Sequence, residues 1–277
     1  MSVFDQLQQA AAALVQLSDE QKNKVLLRLA DIAEAQTKTL LDANLQDLQR
    51  METTNPKFDR LKLTAERIKS IAEDLRNVAA MPSPLGHNLL QRELPNGIQL
   101  SKITVPVGVV GIIYEARPNV TYDVFSLCFK SGNVCVLKGG SDADASNRCI
   151  MGQIKQALGE CGVSEEVVQL LPPDRSATHE LLNAVGKVDL IIPRGSQQLI
   201  DYVRQNAKVP VIETGAGIVH TYFDASGDLD KGREIVFNAK TRRPSVCNAL
   251  DCLLLHRDRL ADLPELLGGM AKKEVKV

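Results

Sequence analysis

The sequence predicts a doubly wound, right-handed α/β sheet preceded by a set of N-terminal helices. Three observations carry this fold class. Helical periodicity runs from Val3 to about Ala80, two prolines in MPSPLGHN then break it, and short β-branched runs alternate with amphipathic segments beyond residue 108.

In the first region Val25, Leu26, Leu29, Ile32 and Ala33 recur at the spacing of a core-facing helical stripe, and Ser18 with Gln21 matches a capping box. A second stripe, Leu61, Ala65, Ile68, Ile71, Leu75 and Val78, follows the turn at Asn55-Pro56. MPSPLGHN ends the helical run. GIQLSKITVP alternates as a strand does, with Pro95-Asn96-Gly97 as a hairpin turn before it. VGVVGIIY is the apolar run of a parallel strand buried on both faces. Next come NVCVLK with a helix from about Asp144 to Leu158, VVQLLP with about Ala177 to Val185, and VDLIIP with about Gln197 to Ala207. VPVIE and a helix near Asp228 to Lys240 complete the series, and the final KEVKV reads as the start of another strand, which needs a partner.

The chain of 277 residues is 44% hydrophobic with a formal net charge of -1, enough for two domains and without the basic excess that nucleic acid or an anionic membrane selects. No signal-peptide pattern and no run of about 18 apolar residues occurs, so a cytoplasmic protein without a membrane partner is expected. Six cysteines without a CxxC pair and four scattered histidines give no reason to expect a metal site.

In doubly wound sheets ligands bind beyond the carboxyl ends of the strands. The glycine-bearing loops there are KGGSDADAS, PRGSQQ and ETGAGIVH. Gly195-Ser196 opens a helix, where free backbone N–H groups suit a pyrophosphate; a tight turn without a ligand is the plain alternative. GxGxxG is absent, as is GxxxxGK[ST], so neither a standard dinucleotide fingerprint nor an NTPase loop is present. NAKTRRPSVCNALD places Cys247 after Lys240, Arg242 and Arg243, cations that favour a thiolate; the alternative is a small buried hydrophobe.

Taken in order, PVGVVGIIYEARPNVT, GNVCVLKGGSDA, IIPRGS, VPVIETGAG and NAKTRRPSVCNAL resemble the aldehyde dehydrogenase superfamily, specifically its γ-glutamyl phosphate reductase branch, from about Thr104 to the end. The resemblance implies an aldehyde-dehydrogenase-like, Rossmann-type sheet. Residues 1–246 would hold the N-terminal helices and cofactor-binding domain, with 82–105 an oligomerisation arm, and 247–277 would begin a catalytic domain. Family members continue well past the cysteine, so the chain reads as truncated and the catalytic domain as incomplete. These residues alone are expected to bind NADPH weakly and turn over little substrate.

The implied reaction is NADPH-dependent reduction of L-glutamyl 5-phosphate, a small-molecule substrate, to L-glutamate 5-semialdehyde plus phosphate, the second step of proline synthesis, in a homo-oligomer. By the same likeness Cys247 forms a thioester with the acyl group. Lys240, Arg242 or Arg243 would meet the phosphate, with Arg242 and Arg243 suited to bidentate contact. Lys138 matches the lysine at the cofactor's adenosine ribose, Ser141 would receive a 2′-phosphate, and Gly195, Ser196 and Gly215 would lie along the cofactor. Glu213 aligns with the general base of hydrolytic relatives. A reductase must keep water from its thioester, so a structural role or a nicotinamide contact is the alternative. Asn119 and Arg117 compete for the place of oxyanion donor, with Arg117 otherwise on the substrate. The competing readings are another acylating or hydrolytic aldehyde dehydrogenase, or a catalytically silent fragment.

Overall fold

The structure, a computed structural model, describes residues 2–55, 57–115, 117–213, 217–242, 244 and 246–276. The chain forms two compact units, Met1–Glu213 and Thr214–Val277.

The first unit opens with helices α1 (Val3–Val15), α2 (Asp19–Ala35), α3 (Thr37–Leu48), the short α4 (Phe58–Leu61) and α5 (Ala65–Ala80). Ser2 with Asp5 and Ser18 with Gln21 close capping boxes on α1 and α2, satisfying N–H groups that a helix start leaves unpaired. Val25, Leu26 and Leu29 are fully buried, as the spacing predicts. The second stripe is interrupted: Leu61 belongs to α4, and Ala65, the first residue after the Thr64 cap, faces solvent, so the buried face of α5 starts at Ile68.

A hairpin of β1 (Asn88–Glu93) and β2 (Gln99–Ile103) follows, antiparallel and exposed at every residue of both strands. The sheet proper then alternates β3 (Val109–Tyr114), α6 (Asn119–Lys130), β4 (Val134–Lys138), α7 (Asp144–Glu160), β5 (Val168–Leu170), α8 (Arg175–Leu182), β6 (Leu190–Arg194) and α9 (Gln197–Asn206). Its four parallel strands lie in the order β5-β4-β3-β6. From β3 the chain winds outward through β4 to β5, then returns to place β6 on the other side of β3. The topological switch, where such sheets open a crevice, is therefore at the carboxyl ends of β3 and β6. VPVIE does not form the expected strand: it contributes one bridge, Ile191 to Val211, flanked by Pro210, which has no N–H to continue a ladder.

The second unit holds β7 (His220–Phe223), α10 (Leu229–Thr241), β8 (Cys252–Leu255) and α11 (Leu263–Leu267). Strands β7 and β8 pair in parallel, and Val236, Leu250 and Met270 form a small core. Because β7 and α10 pack with β8 and α11, the packing boundary falls at Glu213/Thr214, upstream of the 246/247 division expected from sequence. KEVKV does not start a strand among the described residues: Lys273 closes a 3-10 turn and Glu274 turns left-handed at φ 56°. No helix among the described residues is long and apolar enough to cross a membrane.

Candidate active site

A cleft of about 460 Å³ opens in the first unit at the carboxyl ends of the strands, walled by Tyr114 and Glu115 after β3, Lys138 and Gly140 after β4, Arg175 of α8 and Tyr202 of α9. Lys138 is the last residue of β4 and only 6% exposed, buried at the strand end and not on the open surface. Its Nζ donates to Gly139 O (3.0 Å) and Pro173 O (3.2 Å). Burial lowers its pKa, because desolvation penalises the ammonium, while the nearby Asp174 acts in the opposite sense. Ser141, by contrast, is exposed, opens a 3-10 turn and is not part of the cleft wall.

Tyr114 is buried beneath the cleft, its hydroxyl 2.8 Å from Thr121 Oγ1, which donates to Asn147 Oδ1 at 2.9 Å. Burial holds the Tyr114 hydroxyl protonated well above its usual range.

Gly195 and Ser196 stand at the start of α9 as expected, and Ser196 caps it by accepting from Leu199 N at 3.4 Å. Asn119 opens α6 and donates from Nδ2 to Asp123 Oδ2 at 3.0 Å. The Asp123 carboxyl is raised to about 6, chiefly by burial and further by Asp74, while Asn119 and Arg194 act against the rise. Arg117 is exposed and its backbone N–H donates to Glu115 O at 2.7 Å. Glu213 accepts from Arg204 Nη1 at 3.4 Å through one oxygen, and its other oxygen is buried with no hydrogen bond among the described residues.

In the second unit Cys247 is exposed, whereas the other five cysteines are buried or half-buried. The buried-hydrophobe alternative therefore fails for this thiol and holds for Cys128 and Cys135. Cys247 lies in a turn closed by Ala249 N donating to Val246 O at 3.1 Å, and Gly217 packs so close that a Cβ there would be 3.0 Å from the Cys247 carbonyl oxygen. Lys240 departs from the free-cation reading, because its Nζ is spent on Leu250 O at 2.8 Å and ties α10 to the segment entering β8. Arg242 is the exposed C-cap of α10. Gly215 and Arg243 lie outside the described residues.

Sequence reasoning passed over Arg175 and Asp123. PPDRSAT has no glycine to mark it as a ligand loop, yet it also enters a helix at the sheet's carboxyl edge and carries an arginine at its first turn. Asp123 gave no linear signal, since its burial comes from packing.

These features define an aldehyde-dehydrogenase-like α/β protein. The family model described as "Aldehyde dehydrogenase family" matches residues 2–276, and the chain belongs to that family. Within it, the chain is 61% identical over 267 residues to the γ-glutamyl phosphate reductase of Parabacteroides distasonis, covering 95% of this chain and 64% of that protein. The corresponding protein of Bacteroides thetaiotaomicron is 58% identical over 274 residues, covering 99% of this chain and 66% of its own length. The chain thus spans about two thirds of the curated relatives it matches. Among solved structures, the γ-glutamyl phosphate reductase of Thermotoga maritima superposes with a TM-score of 0.89 at 35% identity, covering 99% of this chain and 67% of that one. A glyceraldehyde-3-phosphate dehydrogenase from Methanocaldococcus jannaschii, complexed with NADP, shares the fold at TM-score 0.71 and 17% identity, over 98% of this chain and 57% of its own.

Proposed function

We propose that this chain carries the cofactor-binding part and the nucleophile of an NADPH-dependent γ-glutamyl phosphate reductase, the enzyme of the second step of proline synthesis from glutamate. The observation that carries the reading is the 61% identity, across 95% of this chain, to a relative of that name. The exposure of Cys247 alone among the six thiols supports it.

In this reading the Cys247 thiolate attacks the carbonyl carbon of glutamyl 5-phosphate. Negative charge develops on the carbonyl oxygen, met by Asn119 or Arg117, and collapse of the adduct breaks the C–O bond to phosphate and leaves a thioester. Arg242 and Arg243 neutralise the departing phosphate. Hydride addition to the thioester carbon gives the alkoxide of a thiohemiacetal. Re-formation of the carbonyl from that alkoxide breaks the C–S bond, releasing the aldehyde and regenerating the thiolate.

NADPH supplies the hydride when bound. The cleft suits its phosphorylated ribose, because a buried lysine and an arginine face the same space. Lys138 would hold the ribose, and Arg175, rather than the exposed Ser141, would take the 2′-phosphate and favour NADPH over NADH. Gly195, Ser196 and Gly215 would follow the diphosphate. Glu213, paired with Arg204, acts in positioning rather than as a base, since activated water would hydrolyse the thioester. The first unit serves as the cofactor domain, the second begins the catalytic domain, and the exposed hairpin docks on a second copy of the chain in the cytoplasm.

The test is NADP+ reduction with glutamate 5-semialdehyde, read at equal protein concentration with phosphate, with coenzyme A in its place, and with neither. Phosphate-dependent NADPH formation that disappears in Cys247→Ala, with the fold retained by circular dichroism, supports the reading. Formation that requires coenzyme A assigns the chain to an acylating dehydrogenase, formation without either acceptor assigns it to a hydrolytic one, and no formation marks a silent fragment.

A further inference from the structure

One acid stands in the cleft without a part in this chemistry. Glu115 directly follows β3, and its backbone N–H donates to Arg194 O at 3.3 Å, which fixes it against the end of β6 at the topological switch. Its carboxylate reaches across and accepts from Ser196 N at 3.2 Å and from Ser196 Oγ at 2.7 Å. Gly195 makes the approach possible: a Cβ at that position would lie 2.9 Å from Glu115 Cδ. The same side chain forms part of the cleft wall that carries Lys138 and Arg175. A carboxylate of the chain itself therefore holds the start of α9, where unpaired N–H groups and the helix dipole favour negative charge.

We propose that Glu115 is an intramolecular stand-in for the cofactor's diphosphate, holding the α9 terminus in the free protein and giving it up when the dinucleotide enters. The inference rests on the reading of the cleft as the cofactor site. Two anionic groups do not share one set of N–H donors at contact distance, because like charges repel strongly there. Entry of a diphosphate thus breaks both hydrogen bonds from Ser196 to Glu115, and the cofactor binds more weakly by the free energy of that contact. In return, the terminus is never left without a partner, and a ligand that lacks the diphosphate leaves Glu115 in place.

Isothermal titration of the chain and of Glu115→Gln with NADPH, and separately with 2′-AMP, decides the point. The variant keeps the shape of the side chain and removes its charge. NADPH is expected to bind Glu115→Gln about three- to tenfold more tightly than the unaltered chain, while the affinity for 2′-AMP, which engages only the adenosine end, stays within about twofold. Equal or weaker NADPH binding by the variant overturns the proposal and leaves the cofactor reading standing. Equal tightening of both ligands also overturns it, since that marks a general change of charge in the cleft. NADPH binding by neither protein removes the cofactor reading and this inference with it.

Discussion

Asp123 is the residue whose environment differs most usefully from water. Its carboxyl ionises at about 6 in the folded chain against an ordinary value of 3.8. The folded state therefore binds the proton more tightly than the unfolded state. Stability from this group is fully present below about pH 4 and is lost as pH rises through 6. Asp123→Asn, which can still accept from Asn119, is expected to stabilise the protein by about 1–3 kcal/mol at pH 7.5 and to leave it unchanged at pH 4. Thermal melts at the two pH values check this, and an equal effect at both would contradict it. At Cys247 the expectation concerns access. Brief treatment with iodoacetamide, followed by peptide mass spectrometry, should label Cys247 before Cys128, Cys135, Cys149, Cys161 and Cys252, because it alone is exposed.

At the scale of elements, the start of α7 depends on a neighbour. The buried carboxylate of Asp47, in α3, accepts from Ala145 N (3.0 Å), Ser146 N (2.8 Å) and Ser146 Oγ (2.7 Å), capping α7 from outside. Asp47→Ala leaves those donors buried and unpaired and should cost about 2–4 kcal/mol in a denaturant titration. The hairpin β1–β2 presents the opposite case. Leu89, Ile98 and Ile103 are 60%, 56% and 54% exposed, and a two-stranded hairpin with no covered face is marginal in water. If it docks on a second copy, removal of residues 88–103 yields a monomer by light scattering with little loss of melting temperature; an unchanged mass would refute the docking. The turn at Pro95-Asn96-Gly97 made this hairpin legible in the sequence, as β-branching did for β3, β4 and β6. The failure of VPVIE to form a strand was less visible, because its one proline, Pro210, was outweighed by its apolar pattern.

Across the whole molecule, the alternation of elements and the order of the motifs were enough to place the strand-end loops and the cysteine. What they did not contain was the result of bringing loops together. Glu115 and Ser196 are 81 positions apart and meet only because β3 and β6 are neighbours in the sheet. Arg175 joins Lys138 in one cleft because β5 lies beside β4. The burial of Lys138 likewise follows from the sheet and not from KGGSDADAS. The account as a whole rests on a single acyl transfer to Cys247. Prolonged incubation with glutamate 5-semialdehyde and NADP+ in the absence of phosphate, then mass spectrometry of the cysteine-bearing peptides, observes that transfer even when turnover is slow. The account predicts a glutamyl adduct on the peptide containing Cys247, absent without NADP+ and discharged by added phosphate; an adduct on another cysteine, or none, would contradict it.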